Sequence, residues 1–147
     1  RRIPRADLIR FMRSHQMPLD ALGESEMAIL MVENEAETVE LMRELVASLG
    51  GYVLHVAQSA YEAGVMTVQV DPQVVVMNLR MPDFDAAAAC RSVRTEFTDA
   101  GATVILMANK FRVEELEAFR ALGVTGFVRK PIKFEEMSMA LRGAATA

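Results

Sequence analysis

The chain has 147 residues, of which 52% are hydrophobic and 24% are charged, so it can build one sizeable core and is not an intrinsically disordered chain. No apolar run approaches the roughly 20 residues of a membrane-spanning helix, and the N-terminus lacks a secretory signal pattern. The formal net charge is −4, but residues 1–14 hold five Arg and one Asp, a net +4 that leaves −8 on the remainder.

The first predicted element is a short amphipathic helix over residues 5–15, where apolar residues recur at helical spacing between arginines. Residues 16–26 contain Pro18, Gly23 and three acids, which is typical of a linker. We therefore predict an N-terminal helix and linker over residues 1–26 and a separate domain over residues 27–147. A basic segment of this kind favours contact with an anion such as nucleic acid, although a solvated helix face has the same composition.

From Met27 onwards, strand patterns alternate with helix patterns. The stretch MAILMVE is a continuous apolar run that ends in an acid, as in a strand buried on both faces of a parallel sheet. The helix after it is stopped by Gly50-Gly51. Four further strands are predicted at YVLHVA, QVVVMN, TVILMA and VTGFV, and the helices that follow them at SAYEAGVMTVQV, FDAAAACRSVRTEF, VEELEAFRALG and FEEMSMALRG.

Five such βα units indicate an α/β fold with a parallel sheet covered by helices on both faces. In a sheet of this kind the ligand crevice lies beyond the carboxyl ends of the strands. The single cysteine, Cys90, follows four alanines on a predicted helix, so we interpret it as a small core residue of a protein in a reducing compartment. With His15 and His55 far apart in sequence, no zinc-ligand spacing is present.

Three stretches at the predicted strand ends resemble the receiver domain of two-component response regulators: ILMVENE, VVVMNLRMPDFD and GVTGFVRKP. The resemblance covers residues 27–142 and implies a flavodoxin-like sheet with strand order 2-1-3-4-5. In that family an Asp after the third strand accepts a phosphoryl group. Mg²⁺ is held by that Asp, by acids after the first strand and by a backbone carbonyl, while a Lys pairs with the phosphoryl oxygens. A Ser or Thr after the fourth strand and an aromatic residue on the fifth respond to the phosphoryl group.

This sequence departs from the family pattern at several of these positions. Asn78 stands at the phosphoacceptor position, Glu33 and Asn34 stand at the acid pair, and Ala108 stands at the hydroxyl position. Phe127 and Lys130 keep the aromatic residue and the lysine of the family. Lys130 is followed by Pro131, for which the family implies a cis bond. An amide does not attack phosphorus, and Glu33 is already balanced by Lys130 without a metal. We therefore predict at most weak Mg²⁺ binding at Glu33, and a hydrogen bond from Lys130 to Asn78 or Glu33.

The resulting prediction is a cytoplasmic pseudo-receiver that is not phosphorylated, has no catalytic residue and needs no cofactor. It acts on a protein partner or on a second copy of itself, as a dimerisation module, through the fourth helix, fifth strand and fifth helix. The candidate residues of that surface are Phe127, Arg112, Glu115, Arg129 and Glu136. Two alternatives are a module that senses a small anion or metabolite at Lys130, and a receiver still phosphorylated on Asp83 or Asp85.

The N-terminal stretch RRIPRADLIRFMRSHQMPL is similar to the end of an excisionase or MerR-like winged-helix domain. This resemblance covers about 19 residues and lacks a recognition helix. It implies a DNA-binding transcriptional regulator that contacts DNA through a region upstream of Arg1, with Arg1 and Arg2 as wing residues that contact phosphate.

Overall fold

The computed structural model describes residues 26–82, 84–95 and 102–146, without the side chains of residues 92–95, 145 and 146. The predicted helix over residues 5–15, almost all of the predicted linker, and Asp83 lie outside the described residues. The division into residues 1–26 and 27–147 and the DNA-binding resemblance therefore stay predictions.

The described residues form five βα units in chain order. The strands are β1 (Met27–Val32), β2 (Tyr52–Ala57), β3 (Val74–Asn78), β4 (Thr103–Ala108) and β5 (Gly126–Arg129). The helices are α1 (Ala36–Leu49), α2 (Ala60–Val70), α3 (Ala86–Thr95), α4 (Val113–Ala121) and α5 (Phe134–Thr146).

All five strands are parallel, and their order in the sheet is 2-1-3-4-5, which confirms the predicted fold. The central strand β3 is buried along its whole length, as its continuous apolar run predicts. Since the chain enters every strand from the same side, the ends of β1, β3, β4 and β5 meet at one edge. The polar residues that follow these strands are thereby brought together.

Helices cover both faces of the sheet. On one face, α1 and α5 pack Met42, Met137 and Leu141, each with no exposed area, against the strands. On the other face, the second core includes Leu106 and Cys90, and the full burial of Cys90 confirms its interpretation as a core residue. None of the helices in the described ranges is long and apolar enough to cross a membrane.

Several element boundaries differ from the prediction, among them those of the last strand and the last helix. The last strand begins at Gly126 and extends to Arg129, whereas the sequence pattern placed its start two residues earlier and its end one residue earlier. Val124 instead lies in the preceding turn, where its backbone N–H donates to the Phe119 carbonyl at 3.0 Å. The last helix continues to Thr146, past Gly143, since burial of Ala144 against the core outweighs the low helix propensity of glycine.

Candidate functional site

Glu33 lies directly after β1 at the carboxyl edge of the sheet and has no exposed area. Its Oε1 accepts hydrogen bonds from the backbone N–H groups of Asn34 and Glu35, both at 3.1 Å, and from Nδ2 of Asn78 at 3.0 Å. Its Oε2 accepts from the ammonium of Lys130 at 3.0 Å. A buried carboxylate is costly unless it is paired and hydrogen-bonded, and here both oxygens are.

Asn78 is the last residue of β3 and is 7% exposed. Its amide nitrogen donates to Glu33, while its Oδ1 accepts the backbone N–H of Arg80 at 2.9 Å. The carboxylate only accepts and the N–H only donates, so these partners fix the orientation of the amide. Asn78 therefore donates a hydrogen bond at the position that the resemblance assigns to the phosphoacceptor.

Lys130 enters the same network from the end of β5. Its backbone N–H donates to the Ala108 carbonyl at 2.9 Å, which places it beside the end of β4. Its side chain is 8% exposed, and its ammonium also lies 3.5 Å from the Glu35 carboxylate. The predicted hydrogen bond of Lys130 is thus made to Glu33, and the Lys130–Pro131 bond is cis, as the resemblance implied.

Glu35 is a member of this site that sequence analysis missed. Its carboxylate accepts from the Thr38 hydroxyl and, together with Lys130, this bond lowers the pKa of Glu35 below its usual value. The Thr38 bond is the larger cause. The available signal was a third polar residue directly after Glu33 and Asn34.

The donor set of this site does not fit Mg²⁺. That ion requires several oxygen ligands in near-octahedral geometry, and carboxylates are its usual protein ligands. The one buried carboxylate, Glu33, already accepts from four donors, and Asn78 brings a neutral amide. Asn34 is exposed and joins the network through its backbone N–H. Within the described ranges, no cluster of three or more His, Cys, Asp or Glu side chains suits a metal ion.

Ala108 and Phe127, which the resemblance assigns to the switch positions, lie on the predicted strands. Ala108 ends β4 with no exposed area and supplies no hydroxyl. Phe127, on β5, is half-buried and packs edge-on against Phe111, with ring centres 5.4 Å apart and planes at 85°. The guanidinium of Arg120 lies over the Phe127 ring, 5.4 Å from its centre, a cation–π distance.

Arg80, which sequence analysis did not single out, connects the loop after β3 to the first turn of α4. Its Nη1 and Nη2 donate to the two oxygens of Glu115 at 2.6 and 2.8 Å, and Nη2 also donates to the Lys110 carbonyl at 3.0 Å. This bidentate bond, followed by the Arg112 backbone N–H at 2.9 Å, lowers the pKa of Glu115 to about 2. We call this arrangement of Arg80 and Glu115 the α4 clamp.

The other candidate residues lie outside the buried network. Arg112 precedes α4 and is exposed, with its Nε 3.6 Å from the Glu115 carboxylate. Arg129 is exposed at the end of β5, and its backbone N–H donates to Glu136 of α5 at 2.9 Å. Asp85 caps α3 by accepting the Ala88 N–H at 3.0 Å.

Comparison with known proteins agrees with this architecture. The family model described as the response regulator receiver domain matches residues 29–142. The chain belongs to the receiver domain family of response regulators. It is 32% identical over 117 residues to the regulatory protein AtoC of Escherichia coli K12, covering 79% of this chain and 24% of AtoC. It is 27% identical over 114 residues to the response regulator MprA of Mycobacterium sp. strain KMS, covering 78% of this chain and 48% of MprA.

Solved receiver structures share the fold. One is described as the signal receiver domain of a DNA-binding response regulator protein (merR) from Colwellia psychrerythraea 34H. It matches with a TM-score of 0.74 and 21% identity, over 82% of this chain and 99% of that one. The chemotaxis response regulator CheY4 of Vibrio cholerae matches with a TM-score of 0.72 and 18% identity, over 81% and 98% of the two chains. The receiver domain spans a quarter to a half of the two curated relatives, AtoC and MprA.

Proposed function

We propose that this receiver domain is a pseudo-receiver, which signals through protein contacts without being phosphorylated and catalyses no reaction. The observation that carries the proposal is the closed network of Glu33, Asn78 and Lys130. In a phosphorylatable receiver, each of these three positions faces the phosphoryl group or its metal. Here they are bonded to one another.

The charges of the network support the same conclusion. Glu33 and Lys130 neutralise each other, and the exposed Glu35, 3.5 Å from Lys130, brings the site only to −1, so a divalent cation meets little attraction. Asn78 has no nucleophilic oxygen, because its Oδ1 belongs to a neutral amide that already accepts from Arg80. Ala108 provides no hydroxyl to hold a phosphoryl oxygen.

The test is an NMR titration with beryllofluoride and Mg²⁺, a mimic of the phosphorylated state. We expect no saturable chemical-shift change in the backbone amides around Asn78, because the acceptor oxygen and the metal ligands are absent. Saturable changes centred on Asn78 and Lys130 would contradict the proposal. Mg²⁺ alone serves as the control for weak binding at Glu33.

Neither alternative draws comparable support. A small anion at Lys130 must displace Glu33 and Glu35 from a side chain that is 8% exposed. A ligand-dependent shift in the melting temperature that is lost in Lys130→Ala would favour this alternative.

Phosphorylation on Asp85 requires the carboxylate that caps α3, beyond the end of β3. Mass spectrometry after incubation with acetyl phosphate tests both Asp83 and Asp85, and an added phosphoryl mass would favour this alternative.

We further propose that the domain is part of a cytoplasmic transcriptional regulator that binds DNA through a region upstream of Arg1. The support is the basic segment at residues 1–14, its resemblance to the end of a MerR-like domain, and the curated relatives, which carry the names of regulators. The receiver from Colwellia psychrerythraea is likewise described as part of a DNA-binding regulator. The sequence upstream of Arg1 tests this proposal, because a region without a helix-turn-helix pattern would contradict it.

The proposed contact surface for a second copy comprises α4, β5 and α5. It presents exposed charges at Arg112 and Arg129, and exposed apolar side chains at Val113 and Met139, which are 66% and 69% exposed. Exposed apolar groups beside charged ones are typical of interfaces.

Sedimentation velocity at increasing protein concentration tests this surface. We expect a dimer fraction that is the same with and without beryllofluoride, and that falls several-fold in Met139→Glu because a buried charge would oppose association. The matched control is Tyr61→Glu, an exposed apolar side chain on α2 that leaves the dimer unchanged. A monomer at all concentrations, or equal loss in both variants, would exclude the surface.

A further inference from the structure

An open cleft of about 550 Å³ lies outside the buried network, between the loop after β3 and the loop after β4. Among the residues that the structure describes, its lining consists of Arg80, Asn109, Lys110 and Arg112. Three of these four residues are cationic and the fourth presents an amide. The cleft is therefore chemically distinct from the Glu33–Lys130 pair, which is neutral and buried.

The charge balance of the cleft is positive in a protein that is negative as a whole. Counted over the described residues, the three cations and the nearby Glu115 sum to +2, whereas the chain carries −4. Glu114, the other acid in the first turn of α4, is exposed and does not line the cleft. An anion that enters the cleft therefore meets a local excess of positive charge even with Glu115 in place.

Much of the hydrogen-bonding capacity of the cleft is unused. Arg112 is 71% exposed, and only its Nε lies near Glu115, at 3.6 Å. In the part of the chain that the structure describes, neither the Lys110 ammonium nor the Asn109 side chain has a hydrogen-bond or ion-pair partner. The Lys110 backbone is held in place, because its carbonyl accepts from Arg80. The donor side chains of Asn109, Lys110 and Arg112 thus lie on a loop that the hydrogen bond from Arg80 holds in place.

We propose that this cleft binds a small polyanion that carries two or more phosphate or carboxylate groups. Guanidinium and ammonium groups are the usual protein ligands of both anions. The volume falls in the range of about 300–1,000 Å³ that is common for small-molecule sites. The inference goes beyond the proposed pseudo-receiver function, because neither Asn78 nor Lys130 lines the cleft. Arg112 is shared with the proposed contact surface, whereas Arg80, Asn109 and Lys110 are not.

Binding in the cleft has a structural consequence for α4. An anion that contacts Arg80 competes with Glu115 for the same guanidinium, and Arg80 is the side chain that ties the loop after β3 to α4. By thermodynamic linkage, the free energy by which the ligand weakens the α4 clamp equals the free energy by which the clamp weakens ligand binding.

The experiment is an NMR and calorimetric titration of the full chain with sodium diphosphate and, in a second arm, with citrate, at constant ionic strength set with chloride. We expect saturable shifts in the amides of residues 109–112. Lys110→Ala and Arg112→Ala should each weaken binding about tenfold, the effect of one lost charge-assisted contact. Glu115→Gln should tighten binding several-fold, because it removes the competing carboxylate. Lys133→Ala, an exposed cation before α5, is the matched control and should bind like the wild type.

The two arms identify the source of the anionic groups. Tighter binding of diphosphate indicates a phosphorylated ligand, and tighter binding of citrate indicates a polycarboxylate. The proposal is overturned if neither anion gives saturable shifts, if Lys133→Ala weakens binding as much as Lys110→Ala, or if Glu115→Gln weakens binding. Because Lys110 and Arg112 are exposed, their variants test the site without the risk of unfolding the protein.

Discussion

Lys130→Ala is expected to lower the free energy of unfolding by about 3–5 kcal/mol, one of the largest effects of any single substitution in this domain. The reason is that the Glu33 carboxylate, which has no exposed area, loses its one buried counter-charge among the described residues. Its three N–H donors remain, but they are dipoles and do not neutralise it. Urea denaturation at pH 7, followed by circular dichroism, measures the change.

Two further variants show whether the loss comes from the unpaired charge. Glu33→Gln combined with Lys130→Met removes both charges and should recover most of the stability, because a neutral pair has no desolvation cost to offset. Lys133→Ala removes an exposed lysine three residues away and should change stability by less than about 0.5 kcal/mol. If the free energy of unfolding of Lys130→Ala lies within about 1 kcal/mol of the wild-type value, the buried pair does not stabilise the domain as described.

Asn78→Asp is expected to destabilise the domain by about 2–4 kcal/mol in the absence of divalent cations, and to make it dependent on Mg²⁺. The substitution replaces the Nδ2 donor, 3.0 Å from Glu33, with an oxygen that only accepts, so two carboxylates meet in a buried site. It also restores one of the acids that hold Mg²⁺ in the family. Thermal unfolding with and without millimolar Mg²⁺ should show stabilisation of the variant and none of the wild type.

The pH dependence of this variant follows from the same repulsion. Burial next to Glu33 raises the pKa of the new carboxyl group above its unfolded value, so the folded state binds its proton more readily. The loss of stability is therefore complete at neutral pH and diminishes as the pH falls towards about 4, the unfolded value for an aspartic acid. Asn109→Asp, an exposed amide at the same edge, is the matched control and should show neither effect. Equal stabilisation of the wild type by Mg²⁺ would contradict the account of the site.

Together the two substitutions separate the two consequences of the departures from the family pattern. Lys130→Ala asks whether the closed network holds the domain together, and Asn78→Asp asks whether the amide keeps the metal out. If both variants behave as expected, the polar residues of the site stabilise the fold. That outcome would leave the cleft at Arg80, Lys110 and Arg112 as an accessible cationic feature of this edge.

Much of the fold and part of the site followed from local patterns in the sequence. The alternation of apolar strands with helices predicted the parallel sheet, because such strands are buried on both faces. The same argument brought Glu33, Asn78 and Lys130 to one edge, since parallel strands end on the same side of the sheet. The identity of Asn78 and Ala108 was enough to predict that the family's chemistry is absent, because an amide and a methyl group lack it in any conformation.

Other features depended on the tertiary structure. The sequence left open whether Lys130 bonds to Asn78 or Glu33, because both were predicted at the same edge of the sheet, and in the structure Lys130 bonds to Glu33. Arg80 and Glu115 are 35 residues apart, and no periodicity links a loop residue to a particular helix position. Side-chain rotamers and loop paths that depend on the whole core decide such contacts. The sequence by itself determined the architecture, because the burial of apolar strands depends on local patterns, whereas only the assembled fold decided which charges pair, because such contacts depend on how distant elements pack.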